Sequence, residues 1–274
     1  MSVTVLSSDT ANNAASNSVT AGSGLGGVTV GNLLVAQYIF NDTNGATTIT
    51  KPSAGWTLID RTARGGSLGG TSAIYWKTAD SGDASSPSFT FSASAGSKAR
   101  LAVVKIQAGR ISSPIETSAN GQGASNPINA ATVTPSVADS LLLFFTTTVD
   151  NTSVSGYTIP TSDPTWTESY DGFVNSSAFS SSMAYASRPE TTATGTPAAT
   201  GSSSSDNIGQ IVVIYGAYAS TFSETESVID TFIKTLNKIY METTSVTDTL
   251  TTLKQRLWNT ITKNVTSWLN QDKS

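Results

Sequence analysis

The chain has 274 residues with 22 Gly, 9 Pro, no Cys and no His; charged residues make up only 12% and the net charge is −4. The two zeros exclude disulfides, thiolate and imidazole metal ligands, cysteine nucleophiles and every triad that needs an imidazole base. Lys and Arg are scattered, so no basic stripe meets nucleic-acid phosphates, and no apolar run approaches the roughly 18 residues of a membrane span.

The N-terminus Met1-Ser2-Val3-Thr4-Val5 has no basic n-region, and the first Lys or Arg is Lys51. We therefore expect no signal peptide and folding in a reducing cytoplasm. Leu33–Phe40 is almost continuously apolar, which predicts a central strand covered on both faces. Trp56–Arg61 and Ser72–Thr78 read as further strands, and Ser88–Ser92 alternates through Phe89 and Phe91 as a half-buried strand does. Leu101–Ile106 is another buried run. Asn41–Gly45, Gly65–Gly70 and Ser81-Gly82-Asp83 separate these runs with turn chemistry. Strands at this spacing, with no helical periods between them, predict a sandwich or barrel.

The pattern then recurs. Asn32–Val35 returns as Ser140–Leu143, Gly55-Trp56-Thr57 as Thr165-Trp166-Thr167, Ser72–Tyr75 as Ser182–Tyr185, and Leu101–Val104 as Ile211–Ile214. Four elements in one order at offsets of 108 to 110 predict a duplication. The halves, about 1–110 and 130–219, form either one antiparallel, jelly-roll-like β-sandwich or two small sandwiches in tandem; we favour the single sandwich. Both Trp56 and Trp166 are then expected in the core. Ala108–Ser136 links the halves, and its Pro127 and Pro135 argue against a long central strand. Thr191–Asn207, rich in Ser and Thr, reads as a loop or weak edge strand.

The succession Gly31–Ala36, Lys51–Ile59, Ala73–Lys77 and Ser88–Ser92, with Pro114-Ile115-Glu116 later, resembles β-sandwich modules in structural proteins of tailed bacteriophages, such as minor tail, tail-fibre or head-decorating proteins. The resemblance covers about residues 3–218. It implies a non-enzymatic virion protein, made in the host cytoplasm and partnered by other virion proteins. In the second half Asp163-Pro164 replaces the Ala-Gly before Trp, and Arg188 follows Tyr185 where Lys77 follows Tyr75.

No residue pattern names a catalytic, cofactor or metal site. Asp60, Asp80, Asp83, Asp139, Asp150, Asp163, Glu168 and Asp171 mostly adjoin turn residues, whereas a glycosidase needs two carboxylates facing across a cleft. Asp80-Ser81-Gly82-Asp83 is the best local cluster for calcium but lacks the other EF-hand positions, so a structural turn is the plainer reading. Gly22–Gly27 and Gly65–Gly70 lack the Lys-Ser/Thr and the following helix of a phosphate loop. Trp56, Tyr75, Trp76 and Trp166 have the chemistry of a platform for host-surface glycans, although recurrence of the two Trp in both halves favours core packing.

All Gly and Pro lie at or before Gly216. Residues 220–274 therefore read as a helical tail on a β domain of residues 1–219. Ser223 and Glu226 fit a capping box. Ile229, Phe232, Leu236, Ile239, Val246, Leu250, Leu253 and Leu257 follow 3-4 spacing, drifting to Ile261, Val265 and Trp268. Two runs of acids followed by bases suggest two helices with a break near Thr243–Ser245. Ile239 and Val246 at d-type positions favour three strands over a parallel dimer. The tail is expected to form homo-oligomers, as a trimer, or to anchor the protein on a particle.

Overall fold

A computed structural model describes residues 3–216 except 43–45, 53–54, 66–68, 109–111, 150–151, 162–163, 175–178 and 204. The chain divides into two units, Met1–Tyr218 and Ala219–Ser274. All described residues belong to the first. The expected tail helices, with their apolar stripe from Ile229 to Trp268, lie outside them.

The first half supplies strands β1 (Thr4–Asn13), β2 (Ser18–Ala21), β3 (Leu33–Phe40), β4 (Ile49–Thr50), β5 (Thr57–Arg64), β6 (Gly70–Thr78), β7 (Phe89–Ala93) and β8 (Ala99–Gln107), with a short helix α1 (Ser81–Ser85). The second supplies β9 (Ile115–Gly123), β10 (Ile128–Asn129), β11 (Ser140–Val149), β12 (Val154–Thr158), β13 (Thr167–Phe173), β14 (Phe179–Arg188), β15 (Ala198–Gly201) and β16 (Asn207–Ile214). They form four antiparallel sheets: β1-β8-β3-β6-β5 and β2-β7-β4 from the first half, β9-β16-β11-β14-β13 and β10-β15-β12 from the second. The two halves thus repeat one strand order element by element. Pairing first with eighth, second with seventh and third with sixth is the nested pattern of a jelly roll. Here the fifth strand joins the sixth in the larger sheet.

Each half is therefore a complete sandwich, and the arrangement is the tandem one, not the favoured single sandwich. The reason lies in the central strands. In β3 and β11 every residue is buried, so both faces of each large sheet are covered. Tyr38, Phe40, Trp56, Phe89 and Phe91 fill the first sandwich. Ile128, Phe144, Tyr157 and Ile211 fill the second. A third core lies between the large sheets, where Leu33, Val35 and Ile106 meet Leu141, Leu143 and Ile214. Each such fully buried side chain contributes roughly 1.5–3 kcal/mol.

Ladder register refines the repeat. Gln37 pairs with Ile74 on β6 and with Ala102 on β8, and Phe145 pairs with Met183 on β14 and with Gln210 on β16. Because Leu33 matches Leu141, Ile74 matches Met183 and Leu101 matches Gly209. The sequence match of Ser72–Tyr75 with Ser182–Tyr185 is one residue out of step. In a strand that step exchanges the two faces. Lys77 accordingly matches Ala186, and Arg188 matches Ala79.

Six strands, β1, β2, β4, β9, β10 and β12, are not read from the sequence, and the longest of them are β1 and β9. Both are polar edge strands, and β9 occupies the expected linker while ending before Pro127. Ala198–Gly201, inside the expected loop or edge segment, is the centre of its small sheet. All four outer strands of the large sheets carry a bulge, at Leu6, Ile59, Glu116 and Ser169. Such kinks discourage edge-to-edge pairing with another chain.

Candidate functional site

The residues singled out in the sequence fall in separate places. Asp80 caps α1, accepting from the Gly82 amide at 2.8 Å and the Asp83 amide at 3.1 Å, while the Asp83 side chain accepts from the Asp80 amide. The Lys77 amine lies 2.9 Å from Asp80 and 2.8 Å from Asp83. Burial alone would lower the Lys77 pKa, but its hydrogen bonds to Asp83 and Asp80 raise it. The hydrogen bond from Lys77 lowers Asp80. This cluster is a capping box with an ion pair, and its own lysine occupies the carboxylates. Among the described residues no group of three or more acidic side chains is arranged to hold a metal ion.

The Gly22–Gly27 turn presents carbonyls inward, and the Lys105 amine donates to those of Leu25, at 3.0 Å, and Gly26. Its Gly22 and Gly24 amides are taken by Asp9. Nothing in it cradles a phosphate. Asp139 occupies a left-handed turn position with φ 57°, whereas Asp150 and Asp163 lie outside the described residues. Asp60 faces the second half, accepting from Asn120 at 2.8 Å and from Gln210. Arg188 is fully buried and donates to the carbonyls of Thr161 and Thr192 at 3.0 and 3.2 Å.

Glu168, Asp171, Tyr157 and Trp166 come together at the side of the second sandwich. The bulge at Ser169 is responsible. It sets Glu168 opposite Ala184 and Asp171 opposite Ser182, both on the face toward the sandwich interior, and turns Tyr170 opposite Met183 toward the other half. Burial, then mutual repulsion with Asp171, raises the Glu168 pKa, and burial raises Asp171. Burial also raises the Tyr157 hydroxyl, which shares a hydrogen bond with Ser182. The Trp166 ring lies 6.0 Å from Tyr157 and 6.3 Å from Phe144.

The matching place in the first sandwich is sealed by aromatics. Trp56 is 2% exposed and sets its edge against Phe89 and Phe91 at 5.3 and 5.4 Å. Tyr38 stacks on Phe40 and Phe91 at 5.2 and 5.7 Å. In the second sandwich Thr146, Thr148 and Ala199 stand at the positions of Tyr38, Phe40 and Phe91, and Asp171 at that of Arg61. Trp166 is consequently only half-buried, which corrects the expectation of two fully buried tryptophans. Thr148 Oγ1 and Asp171 Oδ1 are buried without a hydrogen-bond partner. An aromatic ring beside two partly exposed carboxylates has the chemistry to hold a polyhydroxylated ligand, the ring covering C–H faces and the carboxylates accepting from hydroxyls.

The fold defines a class, a tandem of two jelly-roll sandwiches, the first closed by aromatic rings and the second carrying Glu168 and Asp171 beside a half-buried Trp166. No protein-family model, curated protein or solved structure matches the chain.

Proposed function

We propose that this chain is a non-enzymatic structural protein of a tailed-phage virion, displayed as a tail-fibre, minor tail or capsid-decorating subunit. The observation that carries this reading is where the resemblance falls. Gly31–Ala36, Lys51–Ile59, Ala73–Lys77 and Ser88–Ser92 lie on or beside β3, β5, β6 and β7, four of the eight strands of the first sandwich. Residues 220–274 form the helical tail in this reading, assembling the subunit as a trimer and anchoring it to other virion proteins. Mass spectrometry of purified particles from the source culture, followed by localisation in an electron-microscopy map, tests the proposal. Its absence from the particles overturns it. Light scattering of the full chain and of residues 1–219 tests the tail: a monomeric full chain that also fails to bind particles excludes both trimer and anchor.

A second reading, a glycan-binding adhesin at a tail tip, is favoured by Trp166, Tyr157, Glu168 and Asp171 at the open side of the second sandwich. A glycan array with the full chain and with Trp166→Ala separates it from pure display. Release of reducing sugar from host polysaccharide points instead to a hydrolase.

A further inference from the structure

We propose that residues 1–218 are a fused dimer, with the large sheet of each sandwich serving as a docking surface for a second unit of the same kind. Two self-standing sandwiches then associate through those faces, whether or not the chain connects them.

A two-fold symmetric interface requires that when element i touches element j of the partner, j also touches i. The contacts between the large sheets follow this rule. Strand β1 lies over β13, where Ser8 Oγ donates to the Ser169 carbonyl at 3.0 Å. The equivalent pair is β9 over β5, where Asn120 Nδ2 donates to Asp60 at 2.8 Å. Strand β8 lies over β14, with Arg100 Nε donating to Ser181 at 2.9 Å. Its equivalent is β16 over β6, with Ser72 donating to Gln210 at 2.6 Å. The central strands β3 and β11 face each other, which places them on the pseudo-two-fold axis; Gln37 Nε2 donates to the Thr146 carbonyl there at 3.2 Å. Apolar contacts obey the same relation: Leu33 and Leu141, Val35 and Leu143, and Ile106 and Ile214 are equivalent pairs within one buried cluster.

Each half also has what a separate unit needs. Among the described residues every strand ladder joins strands of the same half. Each half also encloses its own core. No strand ladder thus depends on the other half, and the hydrogen bonds named above that cross the interface all have side-chain donors.

The test replaces residues 109–111 of the full-length protein with a specific protease site. After cleavage the two fragments are expected to co-elute at the mass of the intact chain with an unchanged β-sheet circular dichroism spectrum. Their melting temperature should become dependent on protein concentration, because unfolding now includes dissociation. The uncleaved protein should show no such dependence unless the tail oligomerises it, so the comparison is repeated on a chain ending at 218. A Leu143→Glu variant, cleaved in the same way, should yield fragments that elute separately while both keep their β-sheet spectrum. Separation of the unsubstituted fragments at micromolar concentration overturns the docking face. Unfolding of the fragments on cleavage, or of the separated variant fragments, overturns the self-standing units.

Discussion

Ser72 and Ser181 occupy the same place in the two sandwiches, and each bonds across the interface to the eighth strand of the opposite half. Ser72 pairs with Ile39 and Ser181 with Thr147 in their own sheets. Across the interface Ser72 meets Gln210 and Ser181 meets Arg100. The strands that meet are equivalent, but the partners stand two residues apart in the register, Gln210 at the place of Ala102 and Arg100 at that of Ile208, and their chemistry has diverged, a neutral amide on one side and a guanidinium on the other. Burial lowers the pKa of that Arg100.

Gln37 lies buried between the central strands β3 and β11. It is 1% exposed, accepts from the Tyr170 hydroxyl at 2.7 Å and donates to Thr146 O and Thr147 Oγ1, each at 3.2 Å. Gln37→Leu removes these bonds and leaves Tyr170 without its acceptor. We expect a loss of about 2–4 kcal/mol, since an unpaired buried polar group costs roughly 1–3 kcal/mol and networks add to it. In the double variant with Tyr170→Phe the two losses should sum to more than the loss measured for the pair. Urea titration of the four proteins checks this, and strict additivity would contradict the network.

The two tryptophans should respond unequally to truncation. Trp56→Ala empties a sealed aromatic core and should cost about 3–5 kcal/mol. Trp166→Ala removes a half-buried ring from a site that already borders solvent and should cost about 1–3 kcal/mol. Denaturant melts of both variants decide it; equal losses would mean that the second sandwich is as tightly sealed as the first.

Gly209 stands where the first sandwich has Leu101, and the Asn129 carbonyl presses on the point where its Cβ would be. Gly121 meets the same carbonyl from the neighbouring strand. Because the obstacle is backbone, Gly209→Ala should destabilise by about 1–3 kcal/mol through overpacking. Substituting Gly65, which has nothing within 4 Å of a Cβ, should have little effect. Thermal melts of the pair measure the contrast.

Asp171 should make stability depend on pH in the direction opposite to Asp80. Burial raises its folded pKa above the ordinary 3.8. The folded state then binds more protons than the unfolded chain, so stability falls as the pH rises from 3.8 through the folded value. Asp80 is lowered in the folded state, so its contribution is present above the ordinary value and is lost as the pH falls through the folded one. Asp171→Asn keeps an acceptor for the Val154 amide, which lies 3.2 Å from the carboxylate. It should be more stable than the unsubstituted protein at neutral pH, with the advantage vanishing in acid. Urea stability at several pH values tests this; destabilisation at neutral pH would contradict the burial argument.

The sequence alone determined the mainly β class, the interior strands at Leu33–Phe40 and Leu141–Thr148, and the existence of a duplication. Those signals are local: continuous apolar runs, alternation, turn residues and their recurrence. It left β1 and β9 unseen, because an edge strand built of Ser, Thr and Asn buries too little to show a period. Whether the halves make one sandwich or two was decided by which sheet covers the second face of β3 and β11. A run buried on both faces does not say what buries it. The bulge at Ser169 was equally silent, yet it alone brings Glu168 and Asp171 to one face and sends Tyr170 to the other. The one-residue error in matching Ser72–Tyr75 has the same origin. A strand's two faces alternate at every residue, and only the ladder register to its neighbours says which face meets which core.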